Sequence, residues 1–175
     1  MTLRRLLPWL GLIALVLLLP LGAHAQDRFD LFGGYSYLRV GSTPGSSSFN
    51  LFKGWEFAGD YKFKDWLGGV ADFSGHYGSP QGQSTSISTF LFGPQVSWQG
   101  RVSPFAQLLG GAAHANVGHS LFTDTAPAAA VGGGIDYQLN HVIYWRVIQG
   151  DYIITHLFGH TQSNGRLSTG IVFKF

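Results

Sequence analysis

The amino-acid sequence predicts an all-β fold, an eight-stranded antiparallel up-and-down transmembrane β-barrel. Three observations lead to this prediction. Apolar and polar residues alternate in steps of two along most of the chain, and glycine-rich segments interrupt the alternation. Charged residues are scarce at 11% and aromatic residues are plentiful at 15%, which suits a sheet that faces lipid. Long polar connections alternate with short turns, as expected when every second connection lies outside a membrane.

The first 25 residues have the pattern of a secretory signal peptide. Arg4 and Arg5 precede an apolar run, residues 6–21, and Ala23-His24-Ala25 provides a small-x-small cleavage site. A retained membrane helix is the alternative, but the run is short for a membrane span. We therefore expect two regions, the signal peptide 1–25 and the barrel domain 26–175.

The composition of the barrel domain excludes some classes of function. Removal of Arg4 and Arg5 with the signal peptide leaves nine Lys and Arg residues against nine Asp and Glu residues, so no basic surface favours nucleic acid. The chain contains no cysteine, which leaves neither a lipoprotein anchor nor a disulfide framework. We expect no cofactor.

Eight strands are predicted in the barrel domain, at residues 29–40, 51–63, 67–77, 87–98, 104–113, 128–139, 142–156 and 166–175. Long polar loops are expected at 41–48, 78–85, 114–127 and 157–165, and short turns at 64–66, 99–103 and 140–141. Because the short turns of such barrels are periplasmic, we expect both termini in the periplasm.

The second predicted strand has the clearest alternation. One face carries Leu51, Trp55, Phe57, Tyr61 and Phe63, and the other carries Asn50, Glu56, Ala58, Asp60 and Lys62. In a membrane barrel the aromatic face meets lipid and the charged face fills the lumen. A soluble lipocalin-like barrel, in which the apolar face would be the core, is the alternative fold.

Two strands carry an irregularity. Pro94 cannot donate a hydrogen bond to a neighbouring strand, so we expect a bulge there. In the seventh predicted strand, Gln149 and Asp151 share one face while Arg146 falls on the other. A bulge between Arg146 and Gln149 would bring Arg146 inward, and we prefer it to a side chain that snorkels to the interface. The facing of the fifth predicted strand stays open.

The predicted inward residues of several strands are charged. We expect them to form a polar network in the lumen, made of Glu56, Asp60, Lys62, Asp72, Asp136, Arg146 and Asp151. One interpretation is a selectivity or gating constriction. The favoured interpretation is a structural plug, because eight strands enclose just enough space for side chains to fill.

The last strand alternates to the end of the chain, with Leu167, Thr169, Ile171, Phe173 and Phe175 on its apolar face. The spacing of Ser168, Gly170, Phe173 and Phe175 resembles the C-terminal signal by which bacterial outer-membrane barrel proteins are recognised for insertion. This resemblance implies outer-membrane lipid and the barrel-assembly machinery as partners.

Nearly the whole barrel domain resembles the OmpA-like or porin-like family of small outer-membrane barrels. The segments that carry the resemblance are residues 32–37, 71–75, 90–94, 132–136 with Arg146 and Asp151-Tyr152, and the terminal strand. The resemblance implies a structural role, or surface interaction with an unidentified ligand through the extracellular loops. A narrow channel for ions or small solutes is the alternative, and a lipid-modifying enzyme is a third hypothesis.

Two sets of polar residues are candidates for a catalytic or a metal site, and neither has the spacing that such a site needs. His160 and Ser163 resemble a pair in outer-membrane lipid A deacylases, but those lie two residues apart and these lie three apart, on opposite faces of an extended chain. Four histidines near the predicted long loops, His114, His119, His156 and His160, show no ligand spacing on one strand. We expect no enzyme activity and no metal.

Overall fold

The structure is a computed structural model, and it describes residues 28–42, 47–82, 84–117 and 122–175. The predicted signal peptide and its cleavage site lie outside these residues. The strands are β1 Phe29–Val40, β2 Phe49–Leu51, β3 Lys53–Lys64, β4 Leu67–Gly78, β5 Thr85–Ser97, β6 Val102–Val117, β7 Phe122–Gln138, β8 Ile143–Thr155 and β9 Gln162–Lys174. Short 3₁₀ turns occupy Pro80–Gly82 and Leu157–Gly159.

The strands form one closed antiparallel barrel. Each strand from β3 onward pairs with the next, and β1 pairs with both β3 and β9, so the sheet has no open seam. Strands β2 and β3 together form one segment of the barrel wall. The wall therefore has eight segments, and the predicted eight-stranded fold is confirmed. Within the described ranges, no helix is long and apolar enough to cross a membrane.

The barrel closes through backbone contact at glycine. Gly34 of β1 lies opposite Gly170 of β9, and a Cβ atom added at Gly34 would collide with the carbonyl oxygen of Thr169 and the Cα of Gly170. At the end of the chain, the backbone N–H of Phe175 donates to the oxygen of Phe29, 2.9 Å away. The terminal strand is thus held along its whole length.

Phe52 is an extra residue between β2 and β3, and it changes which residues face inward. Leu51 pairs with Leu38 of β1, whereas Trp55 pairs with Tyr35, so the register shifts by one across Phe52. As a result Leu51 is buried in the lumen and Asn50 is exposed. The prediction that Leu51 faces lipid and Asn50 faces the lumen is wrong. One extra residue in a strand reverses the inward or outward direction of every side chain that precedes it.

The bulge predicted in the strand that contains Arg146 is confirmed. Arg146 pairs with Gly170 of β9 and Gln149 pairs with Ser168, which leaves one extra residue in β8. Val147 and Ile148 are both exposed, while Arg146 and Gln149 are both buried. The bulge therefore brings the guanidinium of Arg146 into the lumen.

The bulge predicted at Pro94 is absent. Pro94 pairs with Gly69 of β4, and β5 keeps one register with β6 on both sides of it, from Phe92 opposite Gly110 to Gln95 opposite Gln107. The strand accommodates proline by losing the pairing with β6 at that position rather than by inserting a residue.

Two predicted loops are shorter than expected. Strand β6 continues to Val117 and β7 begins at Phe122, so most of the predicted loop 114–127 is a hairpin. Strand β9 begins at Gln162, inside the predicted loop 157–165. The facing of β6, left open by the sequence, has Phe105, Gln107 and Leu109 inward and Leu108 outward.

The lumen has a polar part and an apolar part. An apolar cluster that includes Leu38, Val40, Leu51, Ile153 and Leu157 lies toward the long connections. A second, smaller apolar cluster of Phe32, Ala58 and Val172 lies among the charged residues nearer the short turns. The charged lumen residues therefore have apolar side chains packed between them.

We predict that Gly34→Ala destabilises the barrel. The added methyl group meets backbone of β9, which cannot rotate away, so the free energy of unfolding in detergent should fall by about 1–3 kcal/mol. Gly33→Ala is the matched control, since its new Cβ meets nothing within 4 Å and should change stability by less than about 0.5 kcal/mol. Equal urea midpoints for the two variants would contradict the close packing of β1 on β9.

Candidate functional site

Arg166 is the central cation of the lumen. It projects inward from β9 and is only 1% exposed. Its Nη1 and Nη2 donate to the two carboxylate oxygens of Asp72 at 2.8 and 2.9 Å, and its Nε and Nη2 donate to Asp151 Oδ2 at 3.0 and 2.9 Å. Glu56 Oε2 lies 3.4 Å from Nε. One guanidinium thus joins β9 to β4, β8 and β3.

Arg146 forms a second cationic centre. Its Nε and Nη2 donate to Asp136 at 2.8 and 3.2 Å, and its Nη1 donates to Gln149 Oε1 at 2.6 Å. The rings of Phe32 and Phe105 lie 4.4 and 4.2 Å from its Cζ. The two aromatic rings therefore lie against the guanidinium, while Asp136 and Gln149 accept hydrogen bonds from its N–H groups.

Glutamine side chains connect the two arginine centres. The amide of Gln149 accepts from Arg146 and donates at 2.8 Å to both Glu56 Oε1 and Asp151 Oδ2. Gln107 donates to Asp151 Oδ1, also at 2.8 Å. Because an amide both donates and accepts, it bridges a cation and a carboxylate that do not touch.

Two lysines occupy the lumen nearer the short turns. Lys62 Nζ lies 2.8 Å from Asp30 Oδ2, and Lys174 Nζ lies 3.8 Å from the same oxygen. Lys174 Nζ also lies 4.0 Å from the centre of the Tyr144 ring. Asp60 receives a hydrogen bond at 3.0 Å from Gln95.

Hydroxyl groups and a histidine complete the network on the side of the apolar cluster. Ser36 and Ser168 are hydrogen-bonded at 2.9 Å, and Ser168 donates to Glu56. His76 Nε2 lies 2.9 Å from Ser36 Oγ, and the histidine is fully buried. This chain links Glu56 to the edge of the apolar half of the lumen.

All seven residues predicted for the lumen network are buried there. The structure brings Glu56, Asp72 and Asp151 together around Arg166, and it pairs Asp136 with Arg146. Lys62 contacts Asp30, and Asp60 contacts Gln95.

Sequence reasoning missed the residue with the most partners. Arg166, Asp30 and Lys174 are absent from the predicted network, although all three have inward parity in their strands. Three glutamines, Gln95, Gln107 and Gln149, were also missed, because a neutral amide gives no charge signal. The alternation of inward and outward residues along each strand could have identified Arg166, Asp30 and Lys174.

Little space remains inside the lumen. The cavity among the charged residues has a volume of about 10 Å³, and Asp30, Asp60, Gln107 and Arg146 are among the residues that line it. This is about the space that one water molecule needs. At this level of the barrel the lumen is therefore occupied by side chains and is not an open pore.

The proposed catalytic and metal-binding residues are not assembled. Ser163 lies in β9 and accepts a hydrogen bond from Tyr152 Oη at 2.7 Å, and no hydrogen bond joins it to His160. His114 and His156 are bonded to Thr125 and Thr161, and His119 lies outside the described residues. In the described part of the chain, no group of three or more His, Cys, Asp or Glu residues is placed to hold a metal ion.

The residues of the expected insertion signal lie along β9. Ser168 and Gly170 point toward the lumen side, and Phe173 and Phe175 are exposed on the outside of the barrel. Phe173 pairs with Leu31 of β1 and Ile143 of β8, so it lies in the wall where the chain closes. That these four residues act as an insertion signal stays a prediction.

Solved structures with the same fold are small outer-membrane barrels. Neisserial surface protein A, NspA, superimposes with a TM-score of 0.68 at 17% identity, over 84% of this chain and 97% of that one. Ail, the attachment invasion locus protein of Yersinia pestis, gives 0.61 at 16% identity over 86% and 100% of the two chains. The N-terminal barrel of Pseudomonas aeruginosa OprF gives 0.52 at 10% identity over 85% and 98%.

These likenesses show the fold. No protein-family model matches the sequence. No curated protein matches it either. The predicted resemblance to small outer-membrane barrels is confirmed at the level of architecture.

We predict that Arg166→Met strongly destabilises the folded barrel. The substitution leaves Glu56, Asp72 and Asp151 buried around an apolar side chain, which should lower the free energy of unfolding by about 3–5 kcal/mol. Arg39→Met is the matched control, because Arg39 is exposed, and it should stay within about 0.5 kcal/mol. Urea unfolding in detergent, followed by tryptophan fluorescence, measures both. A similar midpoint for the two variants would contradict the central role of Arg166.

Proposed function

We propose that the chain is a bacterial outer-membrane protein with a structural or surface-interaction role, in which a filled barrel displays the long connections outside the cell. The observation that carries this proposal is the distribution of side chains across the barrel wall. Large apolar residues such as Phe57, Phe73, Phe92, Leu108 and Val131 are exposed on the outside, while charged residues are buried inside.

This distribution suits a barrel in lipid. A water-soluble barrel would expose its charges and bury its aromatic residues, and contiguous exposed apolar surface of this kind marks contact with lipid or another protein. The lipocalin-like alternative is disfavoured for the same reason. Aromatic side chains near both ends of the wall, Trp66 and Trp98 at the short turns and Trp55 and Tyr77 toward the long connections, suit the two membrane interfaces.

The orientation follows from the lengths of the connections. Short turns belong on the periplasmic side of such barrels, and Arg28 and Phe175 lie at that end. Both termini are then periplasmic, where the barrel-assembly machinery meets Ser168, Gly170, Phe173 and Phe175. The long connections face outward, where a surface ligand can reach them.

The filled lumen supports a structural role for the polar network. Glu56, Asp72, Asp136, Arg146 and Asp151 are paired with one another or with Arg166 and Gln149. Together with Asp60 and Lys62 they act as a plug that joins opposite walls. A small barrel can still bind ligands, because Ail was crystallised in complex with the heparin analogue sucrose octasulfate.

We predict that single cysteines report the orientation. The chain contains no cysteine, so His160→Cys, near the long connections, and His141→Cys, at a short turn, each provide one reactive thiol at an exposed histidine. In intact cells a membrane-impermeant maleimide should label the first and not the second, and permeabilisation of the outer membrane should equalise them. Labelling of His141→Cys alone would contradict the proposed orientation. Recovery of the protein only from the soluble periplasm would contradict the membrane location.

We predict that the refolded barrel is silent in planar bilayers. The cavity holds about one water molecule, and the apolar cluster fills the lumen toward the long connections. Arg146→Ala should also be silent, because that cluster remains in place. Discrete wild-type openings, altered by the substitution, would instead make the network a conduction path and the protein a narrow channel.

A further inference from the structure

The lumen contains more acidic than basic side chains. Within the described ranges, the buried acids are Asp30, Glu56, Asp60, Asp72, Asp136 and Asp151, and the buried bases are Lys62, Arg146, Arg166 and Lys174. If all of them were ionised, two negative charges would remain without a cation in a space that holds little water, and a buried charge without a partner is costly. The acids exceed the bases around Arg166, where three carboxyl groups surround one guanidinium.

Arg166 does not contact its three acids equally. It donates two hydrogen bonds to Asp72, at 2.8 and 2.9 Å, and two to Asp151, at 3.0 and 2.9 Å. The nearest oxygen of Glu56 lies farther away, 3.4 Å from the Nε of Arg166. Glu56 is therefore the carboxyl group whose charge the guanidinium compensates least.

The three carboxyl groups also differ in the kind of neighbour they have. Asp72 and Asp151 accept hydrogen bonds only from N–H groups of arginine and glutamine side chains. Glu56 Oε1 likewise accepts from Gln149 at 2.8 Å, but Oε2 lies 2.5 Å from the hydroxyl oxygen of Ser168. Since a hydroxyl group can accept as well as donate, a proton on Glu56 has an acceptor, and a proton on either aspartate does not.

Ser168 begins a chain of hydrogen bonds that ends at His76. The hydroxyl oxygens of Ser168 and Ser36 are 2.9 Å apart, and Ser36 Oγ lies 2.9 Å from His76 Nε2. With a proton on Glu56, the hydrogen bond that Ser168 donates to the ionised carboxylate reverses its direction. Ser168 then donates to Ser36, and Ser36 donates to the Nε2 of a neutral imidazole.

His76 is the alternative position for this proton. Transfer along the chain would break the O–H bonds of Glu56, Ser168 and Ser36, and it would form new O–H bonds on the two serines and an N–H bond at Nε2. The product is an imidazolium in a fully buried residue, and the Nδ1 of His76 has no hydrogen-bond partner in the described part of the chain. A buried charged group without a partner costs more than a neutral one, so the contacts favour Glu56 as the holder of the proton.

We propose that the lumen contains a proton-binding site, in which Glu56 is a neutral carboxylic acid at neutral pH and donates a hydrogen bond to Ser168. The groups that face it are Ser36 on β1, Asp72 and His76 on β4, Gln149 and Asp151 on β8, and Arg166 and Ser168 on β9. One negative charge around Arg166 is thereby removed. This property goes beyond the surface role proposed above and does not depend on it.

The site makes the stability of the barrel depend on pH. In the unfolded chain Glu56 is in water and is ionised at neutral pH, so the folded barrel binds one proton more than the unfolded chain. Stability must then fall as pH rises, from about pH 4, where glutamate ionises in an unfolded chain, to the pH at which the folded barrel loses the proton.

The first test reads the protonation of Glu56 directly and needs no variant. Glu56 is the only glutamate in the sequence, so glutamate labelled with carbon-13 on its side-chain carboxyl reports this residue alone. The barrel domain is made by cell-free synthesis with this label and refolded in detergent. At neutral pH, carbon-13 NMR should show the acid form in the folded barrel and the carboxylate form in urea. A carboxylate signal from the folded barrel would overturn the proposal.

The second test compares stability across pH in variants. Glu56→Gln replaces the acid with a neutral amide that can still donate to Ser168, and Asp65→Asn is the matched control, because Asp65 is exposed at a short turn. Relative to Glu56→Gln, the folding equilibrium constant of the original chain should fall by up to about tenfold for each unit of pH. Asp65→Asn should keep the pH dependence of the original chain.

Urea unfolding followed by tryptophan fluorescence measures these equilibrium constants. Parallel pH profiles for the original chain and Glu56→Gln would contradict a proton held by Glu56. Failure of Glu56→Gln to fold would contradict it as well, because the amide reproduces the proposed neutral form.

Discussion

Burial of charge in a narrow lumen is the constraint on which the rest of the structure depends. Eight strands enclose just enough space for side chains, so each charged side chain that points inward must find its partners among the other walls. Arg166 meets this requirement by contacting Asp72, Asp151 and Glu56 from three different strands. The same contacts fix how the walls are arranged around the axis, because a shift of one strand would leave carboxylates buried without a cation.

The facing of most residues could be predicted from the sequence, and the exceptions have one cause. Alternation in steps of two is a local property, so it correctly separates inward from outward residues in most strands. It fails at Asn50 and Leu51 because Phe52 is an extra residue, and a single insertion inverts facing. The bulge near Arg146 was predictable because charged residues fell on both faces. The alternation around Phe52 contains the same kind of conflict, since Phe52 falls on the face of Glu56 and Lys53 on the face of Trp55, and it could have indicated the extra residue.

Partners within the lumen could not be predicted in the same way. Which inward residues meet depends on the register between strands far apart in the sequence, and no single strand contains that information. Arg166 and Asp72 are separated by 94 residues, and Glu56 and Gln149 by 93. The extended hairpin was missed for a different reason, since its Thr, Asp and His residues have the composition of a loop while β6 supplies the pairing that makes them a strand.

The lumen differs along its length in the side chains that occupy it. The Lys62–Asp30 and Arg146–Asp136 pairs lie toward the short turns, and apolar side chains such as Leu38, Leu51 and Leu157 lie toward the long connections. Apolar packing tolerates changes of shape better than a network in which every partner must be satisfied. The hairpin of β6 and β7 begins beside these apolar side chains, so the residues on its outward face can change without leaving a buried charge unpaired.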